Sequence, residues 1–228
     1  MTPEFHGFLC IHKQIGESSY DVIRSIKKCI PEKKIGHAGT LDPFAEGLLI
    51  IAIGRGYTKQ ISTFQNMPKR YQFCVQLGTE TDTLDSTGKI TKTAEIPNLD
   101  ESEIKNILQN FIGEQEQMPP AYSAKKINGK AAYKLAREGK TVELKAATIT
   151  IHELELLSIE PSNKQLTLNS LVSKGTYIRT LSADIATQLK TVGHTKTLIR
   201  SHIGDYSISQ ALASNNLSSD KIKASLIK

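Results

Sequence analysis

Apolar and polar residues alternate along several stretches of the chain, and this alternation predicts β-strands with one buried face. The clearest example is residues 70–77, where one face carries Tyr71, Phe73, Val75 and Leu77. Residues 146–159 and 165–173 alternate in the same way, and the polar segment between them predicts a turn. Residues 8–11 predict a short strand, and the unbroken apolar run over residues 47–53 predicts a buried strand that is too short to cross a membrane.

Apolar residues recur at helical spacing in other stretches. Residues 97–113 predict the clearest helix, with Asp100 as N-cap, Glu103 in position for a capping box and Gly113 as the stop. Further helices are predicted for residues 18–30, 57–65 and 178–189. These strands and helices together predict an α+β fold, in which a mixed, mainly antiparallel sheet is flanked by helices.

The composition is that of an ordinary soluble globular protein of 228 residues, with 39% hydrophobic and 23% charged residues. The N-terminus lacks a basic and then apolar signal segment, so we expect a cytoplasmic protein without a membrane partner. The 29 Lys and Arg residues outnumber the 23 Asp and Glu residues, which gives a net charge of +6. Such a charge suits a polyanionic partner such as a nucleic acid, although many basic proteins bind none.

The cysteines and histidines do not have the spacing of a metal site. Cys10, Cys29 and Cys74 are odd in number and lack CxxC spacing, which indicates reduced thiols. The six histidines show no HExxH or similar pairing. We therefore expect no bound metal.

Residues 33–54, KKIGHAGTLDPFAEGLLIIAIG, contain the strongest candidate for a reactive group. Two glycines flank a loop, and Asp42 directly before Pro43 is biased toward an extended or turn conformation. The apolar run behind this loop would hold the carboxylate in place, as a nucleophile or base requires. From the spacing alone, Asp42 can also be a simple turn former, or Asp42 and Glu46 can be carboxylates on a solvated helix face. The same pair could serve a glycoside hydrolase, but the chain has no Trp to form a sugar platform.

Residues 118–143 form a strongly basic stretch in which cations are interleaved with Tyr122 and Tyr133. These cations are Lys125, Lys126, Lys130, Lys134, Arg137 and Lys140. The charge pattern alone fits an exposed helical hairpin whose lysines are solvated. It fits equally well an arm that grips a phosphate backbone and offers its tyrosines for stacking.

The central stretch resembles the RNA-uridine motif of the TruB family, the tRNA pseudouridine-55 synthases, with the pattern GH-x-G-x-LDP-x-A-x-G-L. The matching residues are Gly36, His37, Gly39, Leu41, Asp42, Pro43, Ala45, Gly47 and Leu48. The resemblance implies a pseudouridine synthase-like catalytic domain that isomerises uridine at position 55 in the tRNA T-loop, with Asp42 as the catalytic residue. This reaction moves the uracil link from N1 to C5 without redox change or energy input, so no cofactor is implied.

Further segments resemble motifs of the same family, and the resemblance gives roles to their residues. The basic stretch is similar to the arm that holds the tRNA stem-loop, and KGTYIRT (174–180) contains Arg179, which would pair with Asp42. Tyr71 would stack on the flipped uracil and relay a proton, and His37 would fill the space that the uridine vacates. The other substrate-binding residues that we expect are Tyr177 and Leu198 at the base pocket, and Lys59, Lys69, Arg70, Lys125 and Lys130 near phosphates.

The resemblance covers nearly the whole chain, and we expect a catalytic domain over residues 1–205 with a basic RNA-gripping arm at about residues 118–143. Bacterial members of the family usually carry a further small RNA-binding domain, and residues 206–228 are too few to form it. We expect a monomer whose partner is tRNA, bound through the T-arm stem-loop. The alternative is a binding module or tRNA chaperone with the same fold, which an Asp42→Asn variant would distinguish from an enzyme.

Overall fold

The computed structural model describes residues 5–98, 100–123, 125–127, 130–132, 135, 138 and 144–228. The chain forms two compact units. The first comprises the residues up to Tyr71 together with Leu198–Lys228, and the second comprises Gln72–Thr197.

The described chain contains both strands and helices. In chain order they are β1 (Gly7–Lys13), α1 (Ser19–Cys29), β2 (Ile35–Ala38), β3 (Glu46–Ile53), α2 (Arg55–Thr58), α3 (Ile61–Asn66), β4 (Lys69–Leu77), β5 (Thr79–Thr81), β6 (Ile90–Thr93), α4 (Glu101–Gln109), β7 (Gly113–Gln117), β8 (Lys126–Ile127), β9 (Lys130–Ala131), β10 (Ala147–Glu160), β11 (Gln165–Val172), α5 (Ile178–Gln188), β12 (Gly193–Ile203), β13 (Tyr206–Ser207), β14 (Leu212–Ala213) and α6 (Ser219–Ala224). Strands β4 and β12 each contribute residues to both units.

Strand β3 is the centre of the first unit, and both of its faces are buried. It pairs antiparallel with β1 and β2 and parallel with the end of β12. One face packs against α1 through Leu49, Ile51 and Ile53. The other face packs against α3 through Leu48, Ile50 and Ala52. Because successive side chains of a strand point to opposite faces, burial on both sides explains why residues 47–53 are apolar without interruption.

Helix α1 covers one side of this sheet, as its pattern predicts. Ser18 is the N-cap and forms a capping box with Asp21, in which each side chain binds the backbone N–H of the other residue. Val22, Ile23 and Ile26 are buried, and the helix ends at Cys29, before Pro31. The prediction for residues 18–30 is therefore confirmed.

The C-terminal residues pack within the first unit. β14 pairs parallel with β1, with Leu212 opposite Ile11. Ile222 of α6 is fully buried in the cluster that contains α1, and Ile227 bridges to Phe8. Residues 206–228 thus complete the sheet and core of this unit.

The second unit is built on the strand order β4-β11-β10-β7. β10 pairs antiparallel with both β11 and β7, and a 3-10 turn at Pro161–Asn163 links β10 to β11 as predicted. Helix α4 packs on β10 and buries Ile104 and Leu108. Helices on mixed, largely antiparallel strands confirm the α+β prediction.

Two helix predictions need correction. The helix predicted for residues 97–113 spans only Glu101–Gln109, with Asp100 as the predicted N-cap and Asn110 as the C-cap. Gly113, at φ +108°, begins β7 instead of ending the helix. The pattern predicts no strand here because GEQEQ is polar on both faces. The helix predicted for residues 57–65 divides into α2 and α3, since Gln60 has non-helical backbone angles.

Within the described part of the chain, no helix is both long and apolar enough to cross a bilayer.

Candidate active site

Asp42 is the first residue of a tight turn. Its carbonyl accepts a hydrogen bond from the Ala45 N–H at 3.1 Å, and Pro43 takes the second position. The third residue, Phe44, does not have the positive φ that a type II turn requires, so the turn is typical of type I, which favours Asp first and Pro second. Leu41, Phe44 and Ala45 are buried, whereas Asp42 is half-buried. The turn is therefore anchored in the core while its carboxylate lies near the surface.

The segment before α1 binds the main chain on both sides of Asp42. The Ser19 hydroxyl accepts a hydrogen bond from the Leu41 N–H at 3.0 Å and lies 3.2 Å from the Leu41 carbonyl, to which it donates. The Gly16 N–H donates to the Pro43 carbonyl at 2.7 Å. These bonds fix the main chain immediately before and after the carboxylate.

Lys13, at the end of β1, is fully buried beneath the turn. Its ammonium donates three hydrogen bonds to carbonyls, those of Ala45 at 2.6 Å, Glu17 at 2.7 Å and Gln14 at 2.9 Å. Burial lowers the pKa of Lys13 to about 8, and the carboxylates of Glu17 and Asp42 partly oppose this shift. Asp42 thus has a cation of its own unit close enough to act on it electrostatically.

Arg200, in β12, is a second buried cation at the turn and is 2% exposed. Its guanidinium donates to the carbonyls of Leu48 at 2.7 Å, Gly39 at 3.1 Å and Thr40 at 3.5 Å. These carbonyls lie before and after Asp42 in the chain. Together, Lys13 and Arg200 hold main-chain oxygens on both sides of the candidate nucleophile.

His37 lies on β2 and has an unusual imidazole environment. Its Nδ1 is buried and has no hydrogen-bond partner among the described residues. Burial, followed by the nearby Arg200 charge, lowers the pKa of His37. This shift favours the neutral form of the ring, whose Nδ1 can still hydrogen-bond to a ligand. Its role in substrate binding stays a prediction.

Tyr71 and Leu198 are the predicted base-pocket residues that belong to the first unit. Tyr71 lies on the buried face of β4 and is 9% exposed, and Leu198 of β12 is 6% exposed. Ordinary packing also produces burial of this degree, so their contact with a base stays a prediction.

The three predicted phosphate ligands near α3 differ in exposure. Lys59 is exposed and Arg70 is half-buried. Lys69 is buried, and its ammonium donates to the carbonyls of Gln65 at 2.5 Å and Met67 at 2.6 Å. These bonds give Lys69 a structural role in the turn from α3 to β4, and its phosphate contact stays a prediction.

Arg179 belongs to the second unit, in the first turn of α5, and is 3% exposed. It donates to the carbonyls of Thr83 at 2.7 Å and Tyr122 at 2.8 Å, and it lies 3.8 Å from the buried carboxylate of Asp85. The guanidinium is therefore fixed by main-chain oxygens and by a carboxylate of its own unit. The predicted pair with Asp42 joins residues of different units, and it stays a prediction.

Tyr177, which precedes α5, is fixed by a reciprocal contact with one side chain. Its N–H donates to Gln117 Oε1 at 2.8 Å, and its carbonyl accepts from Gln117 Nε2 at 3.1 Å. The backbone of this predicted base-pocket residue is thus held in place by β7.

The predicted arm is described only in part. Strands β8 and β9 pair antiparallel, and Lys125 donates to the Lys145 carbonyl at 3.0 Å. The side chain of Lys130 lies outside what the structure describes. The same holds for the side chain of Lys126, and the predicted arm residues Tyr133, Lys134, Arg137 and Lys140 lie outside the described residues altogether.

Sequence reasoning assigns no catalytic or binding role to three buried charged residues, Lys13, Arg200 and Asp85. Lys13 and Arg200 have a signal in the sequence, because each lies within or at the end of an apolar strand, whereas Asp85 lies in the polar segment TETDTLDST, where nothing marks it as buried. A charged residue in an apolar strand is buried only when it is paired or hydrogen-bonded.

Among the described residues, no group of three or more His, Cys, Asp or Glu side chains is placed to hold a metal ion.

Comparison with known proteins gives a consistent result. Residues 27–178 match the model of the TruB family pseudouridylate synthase, N-terminal domain. The tRNA pseudouridine synthase B of Aquifex aeolicus is 44% identical over 207 residues, which is 91% of this chain and 71% of the relative. That of Borreliella burgdorferi is 40% identical over 223 residues, which is 97% of this chain and 77% of the relative.

Solved structures share the fold at lower identity. The crystal structure of a Cbf5-Nop10-Gar1 complex contains a chain with a TM-score of 0.71 and 23% identity, and the match covers 94% of this chain and 54% of that chain. A chain in the structure of an H/ACA RNP bound to a substrate RNA containing 2′-deoxyuridine gives a TM-score of 0.68 at 22% identity, over 94% of this chain and 52% of that chain.

The family model covers most of the sequence and includes the Asp42 turn. The chain belongs to the TruB family of pseudouridylate synthases, and it is an isomerase.

Proposed function

We propose that the protein isomerises uridine to pseudouridine at position 55 in the T-loop of tRNA, with Asp42 as the nucleophile. The relatives of this chain are named tRNA pseudouridine synthase B, and they match it over nearly its whole length. The substrate in this proposal is tRNA, bound through its T-arm. The site of action is then the cytoplasm, and the chain acts as a monomer.

The main support for this proposal is the construction of the Asp42 turn. A nucleophile gains most when it is held in one geometry and remains accessible to the substrate. The main chain around Asp42 is bound by Ser19, Gly16, Lys13 and Arg200, while the side chain of Asp42 itself is half-buried. A simple turn former needs none of these buried polar contacts.

The chemistry needs a carboxylate and a way to move protons. The N1–C1′ bond of uridine breaks, the uracil turns, and a C5–C1′ bond forms; the C5 proton is lost and N1 gains a proton, so the product is an isomer. Ionised Asp42 acts as nucleophile in this scheme, and we assign Arg179 as its charge partner. The buried ammonium of Lys13, in the same unit as Asp42, lies close enough to interact with the carboxylate electrostatically. Tyr71 stacks on the base and relays a proton in this scheme.

The uridine must leave its stack to reach Asp42, which costs a few kcal/mol. We assign the compensating contacts to Tyr71, Tyr177 and Leu198 at the base, and we assign His37 to the space that the base leaves. Lys59, Lys69, Arg70, Lys125 and Lys130 then bind phosphates. The surplus of basic residues over the whole chain supports such an interface.

The test is tritium release from C5-tritiated uridine in unmodified tRNA, measured for the wild type and Asp42→Asn. We expect the variant to release tritium at least about 10³-fold more slowly, because the amide is a poor nucleophile. Glu46→Gln is the matched control, since Glu46 is a half-buried carboxylate at the start of β3, four residues after Asp42, and its Oε2 lies 3.3 Å from His12 Nε2. It should keep a rate close to that of the wild type. Full activity of Asp42→Asn would show that the assignment of Asp42 is wrong.

A second test addresses the RNA interface. With about six phosphate contacts, log K for tRNA binding should fall with log salt at a slope near −4. Lys125→Ala should make that slope shallower by about one unit. Lys92→Ala, which removes an exposed lysine of β6 that has no role in the proposal, should leave the slope unchanged. A flat salt response of the wild type contradicts the proposed basic interface.

A further inference from the structure

The Arg200 guanidinium is buried against carbonyl oxygens of the loop that carries Asp42. The described structure gives it hydrogen bonds to Gly39, Thr40 and Leu48, all of them to main-chain oxygens. Burying a charge is costly unless polar groups replace the lost water. A planar guanidinium with several N–H groups can bind carbonyls in different directions, which an ammonium cannot do with the same geometry.

These carbonyls are placed where they define the conformation of the loop. Gly39 and Thr40 precede Asp42, and Leu48 is the third residue of β3, which follows the turn. One rigid group therefore joins the strand that leaves the loop to the segment that enters it. Neither end can move relative to the other without breaking a hydrogen bond of Arg200.

The main chain of Arg200 is as closely fitted as its side chain. Arg200 lies opposite Gly47 in the parallel pairing of β12 with β3. A Cβ atom at Gly47 would lie 2.4 Å from the Arg200 carbonyl oxygen and 2.6 Å from its nitrogen. Gly47 thus allows an approach that a larger residue would prevent, and this approach places the guanidinium under the loop.

We propose that Arg200 is a positioning residue for the isomerisation, which acts by fixing the conformation of the Asp42 loop at residues 39–48. This inference rests on the proposed function, because it takes Asp42 as the nucleophile. Arg200 itself is 2% exposed, so it acts on the substrate only through the loop. Its loss should therefore slow the chemical step and leave tRNA affinity nearly unchanged.

The experiment compares Arg200→Lys and Arg200→Gln with the wild type in single-turnover tritium release at saturating enzyme, together with the Kd for unmodified tRNA. A displacement of about 1 Å can slow a reaction about 10²-fold, so we expect a 10–100-fold loss of rate, smaller for Lys than for Gln. Kd should change by less than about threefold, because the phosphate contacts that dominate tRNA affinity are made by other residues and are retained in both variants.

A destabilised control separates positioning from general loss of structure. Ile222→Ala removes a fully buried side chain from the core of the same unit, and Ile222 makes no side-chain hydrogen bond to the loop. It should lower the urea midpoint as the Arg200 variants do and keep the wild-type rate. If Ile222→Ala and Arg200→Gln lose rate in proportion to their lost stability, the inference is overturned.

Two readouts do not depend on catalysis. Amide hydrogen exchange at residues 41–46 should be faster in Arg200→Gln than in the wild type or in Ile222→Ala. The imidazole of His37, followed by NMR, should have a higher pKa in Arg200→Gln and not in Arg200→Lys, because Arg200 contributes to lowering it. Unchanged exchange at the loop overturns the inference.

The outcomes distinguish this inference from the proposed function. If the wild type is active, Asp42→Asn is inactive and Arg200→Gln keeps the full rate, then Arg200 has no positioning role while the function stands. If Asp42→Asn is as active as the wild type, the proposed function fails. Faster exchange at residues 41–46 in Arg200→Gln would still confirm that Arg200 fixes the loop.

Discussion

Gly47→Ala tests how closely β3 and β12 approach each other. In the wild type Gly47 has φ +124°, a backbone conformation that residues with a side chain rarely adopt. A methyl group there would lie 2.4 Å from the carbonyl oxygen of Arg200. The nearest atoms are main chain of a paired strand, so they cannot rotate away as the end of a flexible side chain could.

The expected cost has two parts. Holding a residue with a side chain in a sparsely populated backbone region costs about 1–3 kcal/mol. Forcing an extra carbon into a packed region costs about a further 1–3 kcal/mol. The free energy of unfolding should therefore fall by about 2–6 kcal/mol, which is a large fraction of the 5–15 kcal/mol typical of a folded protein.

Two other glycines of the same unit separate these contributions. Gly16 has φ +88°, but a Cβ atom added there would meet nothing within 4 Å, so Gly16→Ala should lose only the backbone part. Gly56 has neither a positive φ nor a close neighbour, and it lies within α2, so Gly56→Ala should be neutral or stabilising by about 0.4–1 kcal/mol. Urea unfolding is best followed by circular dichroism, because the chain has no Trp. Equal losses for Gly47→Ala and Gly16→Ala would refute the close approach to Arg200.

Three further predictions concern single side chains. Ser18→Ala removes the N-cap of α1 and should lower the unfolding free energy by about 1 kcal/mol in urea, whereas Ser18→Asp should restore most of it; equal stability of all three proteins contradicts the capping role. Lys13 has a pKa of about 8 in the folded protein and a higher one when unfolded, so the unfolded chain binds more protons above pH 8. The unfolding free energy of the wild type should therefore rise relative to that of Lys13→Met, by up to about 1.4 kcal/mol per pH unit between pH 8 and 10. If urea unfolding gives the same difference in free energy between the two proteins at every pH in this range, the shift is contradicted. Cys29 is partly exposed while Cys10 is buried with its pKa raised to about 11, so a thiol reagent at pH 8 should show a fast phase that Cys29→Ser abolishes.

Features set by neighbouring residues could be predicted from the sequence. The burial of β3 on both faces follows from its unbroken apolar run, and the start of α1 follows from Ser18 and the apolar spacing behind it. The Asp42 turn also follows from local preferences, since Asp and Pro favour its first two positions. In each case the physical cause lies within a few residues of the effect.

The contacts that fix the turn could not be predicted in this way. Arg200 reaches carbonyls that precede it by about 150–160 residues, and Lys13 reaches Ala45 across 32 residues. A carbonyl oxygen is present at every residue, so a bond to it leaves no trace in the choice of the accepting residue. The polar strand β7 escaped prediction for a related reason: its pairing with β10 depends on the main chain, while GEQEQ has no apolar face.

The buried ammonium of Lys13 both holds the main chain of the turn and acts on the Asp42 charge. The Lys13 ammonium donates hydrogen bonds to the carbonyls of Gln14, Glu17 and Ala45, and these bonds fix the main chain. Its charge still acts through space, because Asp42 is among the carboxylates that favour the charged form of Lys13. The attraction between the Lys13 ammonium and the Asp42 carboxylate is mutual, so each charge interacts favourably with the other. An ammonium bonded directly to the carboxylate would compete with the substrate for its oxygen atoms, whereas one bonded to the neighbouring carbonyls stabilises the charge without occupying those atoms itself.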